Sequence, residues 1–82
     1  MQELVECIKC AAMALVDNPD AVSVDVVEQQ SCSVLQLSVS QEDLGKVIGK
    51  NGRMIESLRT ILSAAAAKAN INCRLEIIED AE

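Results

Sequence analysis

A chain of 82 residues has room for one hydrophobic core, and at this length only about 60% of the unfolded surface is buried on folding. Half of the residues are apolar, yet Phe, Tyr, Trp and His are all missing, so the core must be aliphatic. The composition leaves no aromatic platform for stacking bases, and no histidine as general base or metal ligand, which argues against an enzyme.

The net charge of −6 is unevenly distributed. Residues 1–45 set Lys9 against eight acids, for −7. Residues 46–74 set Lys46, Lys50, Arg53, Arg59, Lys68 and Arg74 against Glu56 alone, for +5, and residues 75–82 add four acids, for −4. The positive charge is confined to one segment, which holds two of the three glycines. No apolar run approaches the roughly 18 residues of a membrane span, and Met1-Gln2-Glu3 lacks a basic leader, so a cytoplasmic protein is expected.

In chain order, Leu4, Ile8, Ala11, Ala12 and Leu15 recur at helical spacing, with Val5 and Val16 beside them, and predict a helix over 3–16. It ends at Asp17-Asn18-Pro19-Asp20, where the proline disfavours helical geometry at Asn18. Val22, Val24 and Val26 alternate with Ser23 and Asp25 in a half-buried strand. The polar break 28–31 reads as a hairpin, and Leu35, Leu37 and Val39 mark a second strand.

Ser40 is a suitable N-cap for a short helix over 41–47, with Asp43 completing a variant capping box and Leu44, Val47 and Ile48 on the apolar side. A loop at 49–52 leads into a long helix over 53–69, with Ile55, Leu58, Leu62, Ala65 and Ala69 on one face and Asn70 closing it in a left-handed conformation. Cys73, Leu75 and Ile77 alternate in a last strand, and 79–82 is an acidic tail. The order α-β-β-α-α-β predicts an α+β fold. Its first two strands should pair antiparallel, and the third should join parallel through the helical crossover. Helices then cover one face of a three-stranded mixed sheet, and small polar residues line the other.

The stretch Val47-Ile48-Gly49-Lys50-Asn51-Gly52-Arg53 places a glycine at each end of a turn between two helices. Glycine permits positive φ and lets another backbone approach closely. The N-terminus of the long helix offers free N–H groups and a partial positive charge to an anion. Lys50 and Arg53 add full charges, with Lys46 one turn earlier, while Val47, Ile48 and Ile55 offer an apolar wall for unstacked bases. A glycine-bounded turn alone is a weak signal. The basic cluster, the preceding Val-Ile and the position between two helices make it a candidate phosphate cradle.

The segment Val47-Ile48-Gly49-Lys50-Asn51-Gly52-Arg53-Met54-Ile55 resembles the K-homology (KH) signature V-I-G-x-x-G-x-x-I, and the element order is similar to the type II, prokaryotic arrangement. The likeness extends to Leu15-Val16-Asp17-Asn18-Pro19-Asp20, to Glu42-Asp43-Leu44-Gly45 and to Leu62-Ser63-Ala64-Ala65-Ala66-Ala67-Lys68-Ala69. Together these look like the small stand-alone bacterial KH-domain RNA-binding proteins. The resemblance implies a single domain over 1–82 without catalytic activity or cofactor, clamping about four nucleotides of single-stranded RNA. It assigns close backbone approach to Gly49 and Gly52, phosphate contact to Lys50 and Asn51, and the groove floor to Val47 and Ile48. Lys46, Arg53 and Arg59 supply electrostatic support, and Arg74 borders the far side. It also implies a homodimer, or pairing with a second KH-containing protein. An RNA chaperone or ribosome-associated factor is the role this suggests.

Cys7-Ile8-Lys9-Cys10 has the spacing of a redox or zinc pair, but it lies inside a helix with no preceding strand, and Cys32 and Cys73 sit singly elsewhere. Small core or rim side chains, reduced in the cytosol and without metal, are expected. Met13 and Met54 are expected to fill core gaps, and Asp17, Asp20, Glu42 and Asp43 to sit in solvated turns and caps. A second reading stays open: a KH-like interaction domain whose groove or sheet meets protein. The basic cluster at 46–59 favours RNA, and the overall −6 keeps the protein reading open.

Overall fold

The computed structural model describes residues 1–78, so the acidic tail expected over 79–82 lies outside the described residues. The elements are α1 (Gln2–Leu15), β1 (Ser23–Glu28), β2 (Ser33–Ser38), α2 (Leu44–Ile48), α3 (Arg53–Ala69) and β3 (Cys73–Ile78). Short 3-10 turns occupy Pro19–Ala21, Gln41–Asp43 and Lys50–Gly52. The order is the expected one.

Helix α1 buries Leu4, Ile8 and Ala12 and stops as Val16 turns to extended geometry ahead of Asn18-Pro19. Cys7, Cys10 and Met13 are exposed, which corrects the expectation that they pack in the core or at its rim. At 100° per residue they fall on the side of α1 opposite the Leu4–Ile8–Ala12 stripe.

The strands lie in the order β1-β2-β3. Strands β1 and β2 pair antiparallel, with Val24 opposite Leu37 and Val26 opposite Leu35. Strands β2 and β3 pair parallel, with Leu35 beside Leu75 and Leu37 beside Ile77. Leu35 and Leu37, on the central strand, are completely buried and meet Ile8, Val47, Leu58 and Leu62 in one aliphatic cluster. The alternation expected along Val22, Val24 and Val26 fades outward, from 6% exposed at Val22 to 36% at Val26. Strand β1 is an edge, and the helical layer covers only its beginning.

Helix α3 turns Ile55, Leu58, Leu62 and Ala66 into the core. Ala66 completes the stripe with the expected Ala65 partly buried beside it, whereas Ala69, expected on the same face, is exposed, and Ala64 and Ala67 face outward. Asn70 closes the helix with φ 60° and ψ 40°, as expected. Its N–H bonds the Ala67 carbonyl at 3.1 Å, and that of Ile71 bonds Ala66 at 2.9 Å, the paired bonds of a Schellman motif. The tight turn sends β3 back along α3 toward the glycine loop. No helix among the described residues is long and apolar enough to cross a membrane.

Candidate nucleic-acid interface

The loop between α2 and α3 owes its shape to three positive φ angles, at Gly49 (80°), Asn51 (58°) and Gly52 (72°). The two glycines are required for different reasons. A Cβ on Gly49 would stand 2.6 Å from the Cβ of Met54, whereas one on Gly52 would meet nothing within 4 Å. Gly52 is needed only for its left-handed conformation, which asparagine also tolerates and Asn51 adopts.

The loop amides divide in two groups. Those of Gly49, Gly52 and Arg53 bond the carbonyls of Gly45, Gly49 and Lys50. Among the described residues, the amides of Lys50 and Asn51 have no backbone partner outside the turn itself. They sit where α3 begins, and no side chain caps that end. Free donors at a helix start have the chemistry to accept an anion.

The cations also divide. Lys46 donates to Asp17 and lies 3.5 Å from Asp43. Its pKa is raised, chiefly by the hydrogen bond to Asp17, against partial burial. Arg59 pairs with Glu56 at 2.9 Å and reaches the Leu75 carbonyl at 3.5 Å, and Arg74 pairs with Glu76 at 3.4 Å. Among the described residues, Lys50 and Arg53 form no ion pair. Lys9 and Lys68 are also outside the ion pairs, but of the four cations from Lys46 to Arg59 only Lys50 and Arg53, which flank the free amides, are uncommitted.

Of the expected apolar wall, Val47 is completely buried and Ile55 is 7% exposed, while Ile48 is half-buried at the surface. Val47 therefore supports the wall from within and only Ile48 presents a face. Beyond the loop, a groove of about 470 Å³ runs between α3 and β3, with Arg59, Ser63, Arg74 and Glu76 over Leu62 and Leu75. Arg59 lies six residues beyond Arg53, about 9 Å along the helix axis. Cys73 is on the same wall, and burial, with a smaller contribution from Cys32, pushes its thiol pKa up.

A buried carboxylate beneath α2 was not foreseen. Asp43 is 1% exposed, which corrects its expected place in a solvated turn or cap. Its Oδ2 accepts from the Asn18 backbone N–H at 3.0 Å, from Asn18 Nδ2 at 3.2 Å and from Ser40 Oγ at 3.3 Å. The expected capping box is absent: neither Ser40 nor Asp43 caps a helix with its side chain. Burial pushes the Asp43 pKa up, but hydrogen bonds from the backbone of Asp17 and Asn18, the Asn18 amide and the Lys46 charge outweigh it and hold it below the ordinary carboxylate value. Asn18 and Asp43 are 25 residues apart, so no local pattern announces the contact. Among the described residues, no group of three or more His, Cys, Asp or Glu is placed to hold a metal ion.

The model of a family described as "KhpA/KhpB, KH domain" matches residues 5–77. RNA-binding protein KhpA of Clostridium perfringens is 49% identical over 78 residues, covering 95% of this chain and all of that one. RNA-binding protein KhpA of Borreliella burgdorferi is 43% identical over 75 residues, covering 92% of each. Among solved structures, Aquifex aeolicus Era superposes with a TM-score of 0.63 at 20% identity, a likeness of fold. This chain covers 92% of its own length in that match but spans only 29% of Era.

Proposed function

The chain belongs to the KhpA/KhpB KH-domain family, and we propose that it binds single-stranded RNA by seating a backbone phosphate on the loop Gly49-Lys50-Asn51-Gly52. The observation that carries this reading is the pairing of two free amides, on Lys50 and Asn51, with two uncommitted cations, Lys50 and Arg53. Phosphate is the ligand that such donors match. Gly49 and Gly52 let the RNA backbone approach, and Ile48 offers an apolar face to an unstacked base. The α3–β3 groove, bordered by Arg59 and Arg74, receives the neighbouring nucleotides. Lys46 and Val47 support the loop rather than touch RNA. The reading gives the protein no catalytic step, metal or cofactor, places it in the cytoplasm and suits an RNA chaperone or regulatory factor.

A second surface fits the expected pairing with another copy or with a second KH-containing protein. Ser57, Ile61, Ala64 and Lys68 share an exposed face of α3, and Ile61 at 47% is the most exposed large apolar side chain among the described residues. This face lies on the same helix as the loop but turns away from the core, so RNA and protein partners need not compete.

The test is the double replacement Lys50→Asp and Asn51→Asp. Asp tolerates the left-handed geometry of position 51, and exposed polar changes of this kind usually alter stability by under about 0.5 kcal/mol. The two carboxylates would stand where phosphate must sit, removing a charge-assisted contact worth roughly 1.5–3 kcal/mol and adding repulsion. Circular dichroism should be unchanged while RNA binding is lost from a low-salt titration. Unchanged affinity in the folded double variant would remove the phosphate cradle and favour the protein-interaction reading.

A further inference from the structure

Helix α2 is only five residues long and ends directly in the glycine loop. A helix of that length does not hold itself in water, so its orientation comes from what grips it. Val47 anchors one side in the core. At the other end Asp43 stands in the N-cap position of α2, but its side chain makes no capping hydrogen bond to that helix. Its carboxylate reaches back to the backbone and side chain of Asn18 instead, and Lys46 of α2 closes over the same group at 3.5 Å. The α1–β1 connection and the start of α2 are thus joined through one buried acceptor.

We propose that Asp43 is a positioning residue for RNA binding: through Asn18 it fixes the tilt of α2, and so holds the amides of Lys50 and Asn51 where a phosphate can reach them. This rests on the RNA-binding reading above and adds a residue that touches no RNA. A hydrogen bond to a buried, charge-bearing acceptor is stronger than a neutral one, which sets this strut above the exposed contacts beside it, the Lys46–Asp17 ion pair and the 3.4 Å approaches of Asn18 Nδ2 to Ser40 and Glu42. The alternative is that Asp43 contributes stability alone. In that case a variant held well below its melting temperature would bind RNA as the wild type does.

Asp43→Asn is the discriminating change. With its oxygen in place of Oδ2 the substituted side chain would still accept from the Asn18 N–H, the Asn18 amide and Ser40, but as a neutral acceptor, and its NH2 would replace Oδ1 beside the Lys46 ammonium, donor against donor. The double variant with Asn18→Asp, made in a Glu42→Gln background because Asn18 Nδ2 lies 3.4 Å from Glu42 Oε1, reverses the pair and returns a carboxylate to it. Two readouts are needed, both at a temperature where every variant is folded. The first, without RNA, is amide hydrogen exchange by NMR at residues 49–52 relative to the centre of α3. The second is titration of a fluorescent single-stranded RNA of about twelve nucleotides, long enough to span a KH groove, across a salt series.

For Asp43→Asn we expect faster loop exchange with α3 unchanged, affinity lower by about fivefold to tenfold, as for loss of one ordinary hydrogen bond, and a flatter salt dependence. The reversed pair should recover all three. If the single variant does not fold, Asn18→Ala, which removes only the side-chain amide, carries the same test. Wild-type loop exchange together with wild-type affinity in the single variant, or in Asn18→Ala where it stands in, would overturn the proposal. Absence of RNA binding by the wild type would instead remove the RNA reading, and loop exchange alone would then decide whether Asp43 positions the loop.

Discussion

Gly49 and Met54 approach so closely that a Cβ on the glycine would lie 2.6 Å from the Cβ and 2.8 Å from the backbone nitrogen of the methionine. The first turn of α3 therefore packs directly on the backbone that leaves α2, and the loop is narrow because one of its glycines has no side chain. With φ 80° and ψ 171°, Gly49 also occupies a region that other residues enter only under strain.

Gly49→Ala should consequently destabilise the fold more than Gly52→Ala. The strained conformation alone costs about 1–3 kcal/mol at Gly49, with steric overlap in addition. At Gly52, where the space is open, the left-handed conformation costs an alanine about 1–2 kcal/mol, and Gly52→Asn should cost less. Met54→Ala should not rescue Gly49→Ala, because the clash is with atoms that alanine retains. Thermal melts of these variants check the order. Equal losses at the two glycines would contradict the distinction.

RNA binding should weaken steeply with salt but from a modest starting point. The uncommitted cations near the loop are Lys50 and Arg53, and the rest of the described surface carries many acids. With about three to four phosphates engaged, log K should fall against log salt with a slope near −2 to −3 for a single strand. Affinity that does not respond to salt would rule out phosphate as the main ligand group.

Much of this was legible in the sequence because the relevant signals are local. The period of Leu4, Ile8 and Ala12, the asparagine ending α3 and the glycine spacing of the loop each lie within one element. What was not legible depends on which distant residue fills a given space. Ser40 and Asp43 carry the letters of a capping box, and nothing nearby says that Asn18 will take the carboxylate. Lys46 looks like a free cation until Asp17, 29 residues away, is folded against it. Val47 and Ile48 are equally apolar as letters, and only the packing of α2 on the core sends the first inside.

Acid should weaken the fold partly through Asp43. Its folded pKa lies below the ordinary aspartate value of 3.8. The unfolded chain therefore binds more protons in that range, and the contribution is present above 3.8 and lost as pH falls through the lower folded value. The groups facing it are Lys46 from α2, Asp17 and Asn18 from the turn after α1, and Ser40. Lys46 acts in the other direction: its contribution is complete below 10.5 and is lost as pH rises through its raised folded value. Melting temperatures of the wild type and Asp43→Asn from about pH 7 down to about pH 2 give the comparison. The variant should start lower and lose less on acidification, and parallel curves would show that the carboxylate contributes nothing to the acid limb.

Val47 and Ile48 should separate stability from binding, although they are neighbours of nearly the same chemistry. Val47 is completely buried among Ile8, Leu35 and Leu58, so Val47→Ala removes methyl groups from a packed core and should cost about 1–3 kcal/mol. It has no face to offer a ligand and acts only as an anchor of α2, so any loss of RNA affinity measured well below the melting temperature should be smaller than that of Ile48→Ala. Ile48 is half-buried beside the loop, so Ile48→Ala leaves a smaller cavity but removes the apolar surface proposed to receive an unstacked base. Its melting temperature should fall less, and its RNA affinity should fall more. Thermal melting and a low-salt RNA titration on the two single variants are sufficient. If Val47→Ala loses affinity while folded and Ile48→Ala keeps it, the base-facing wall is not at Ile48, and the groove between α3 and β3 becomes the place to look for it.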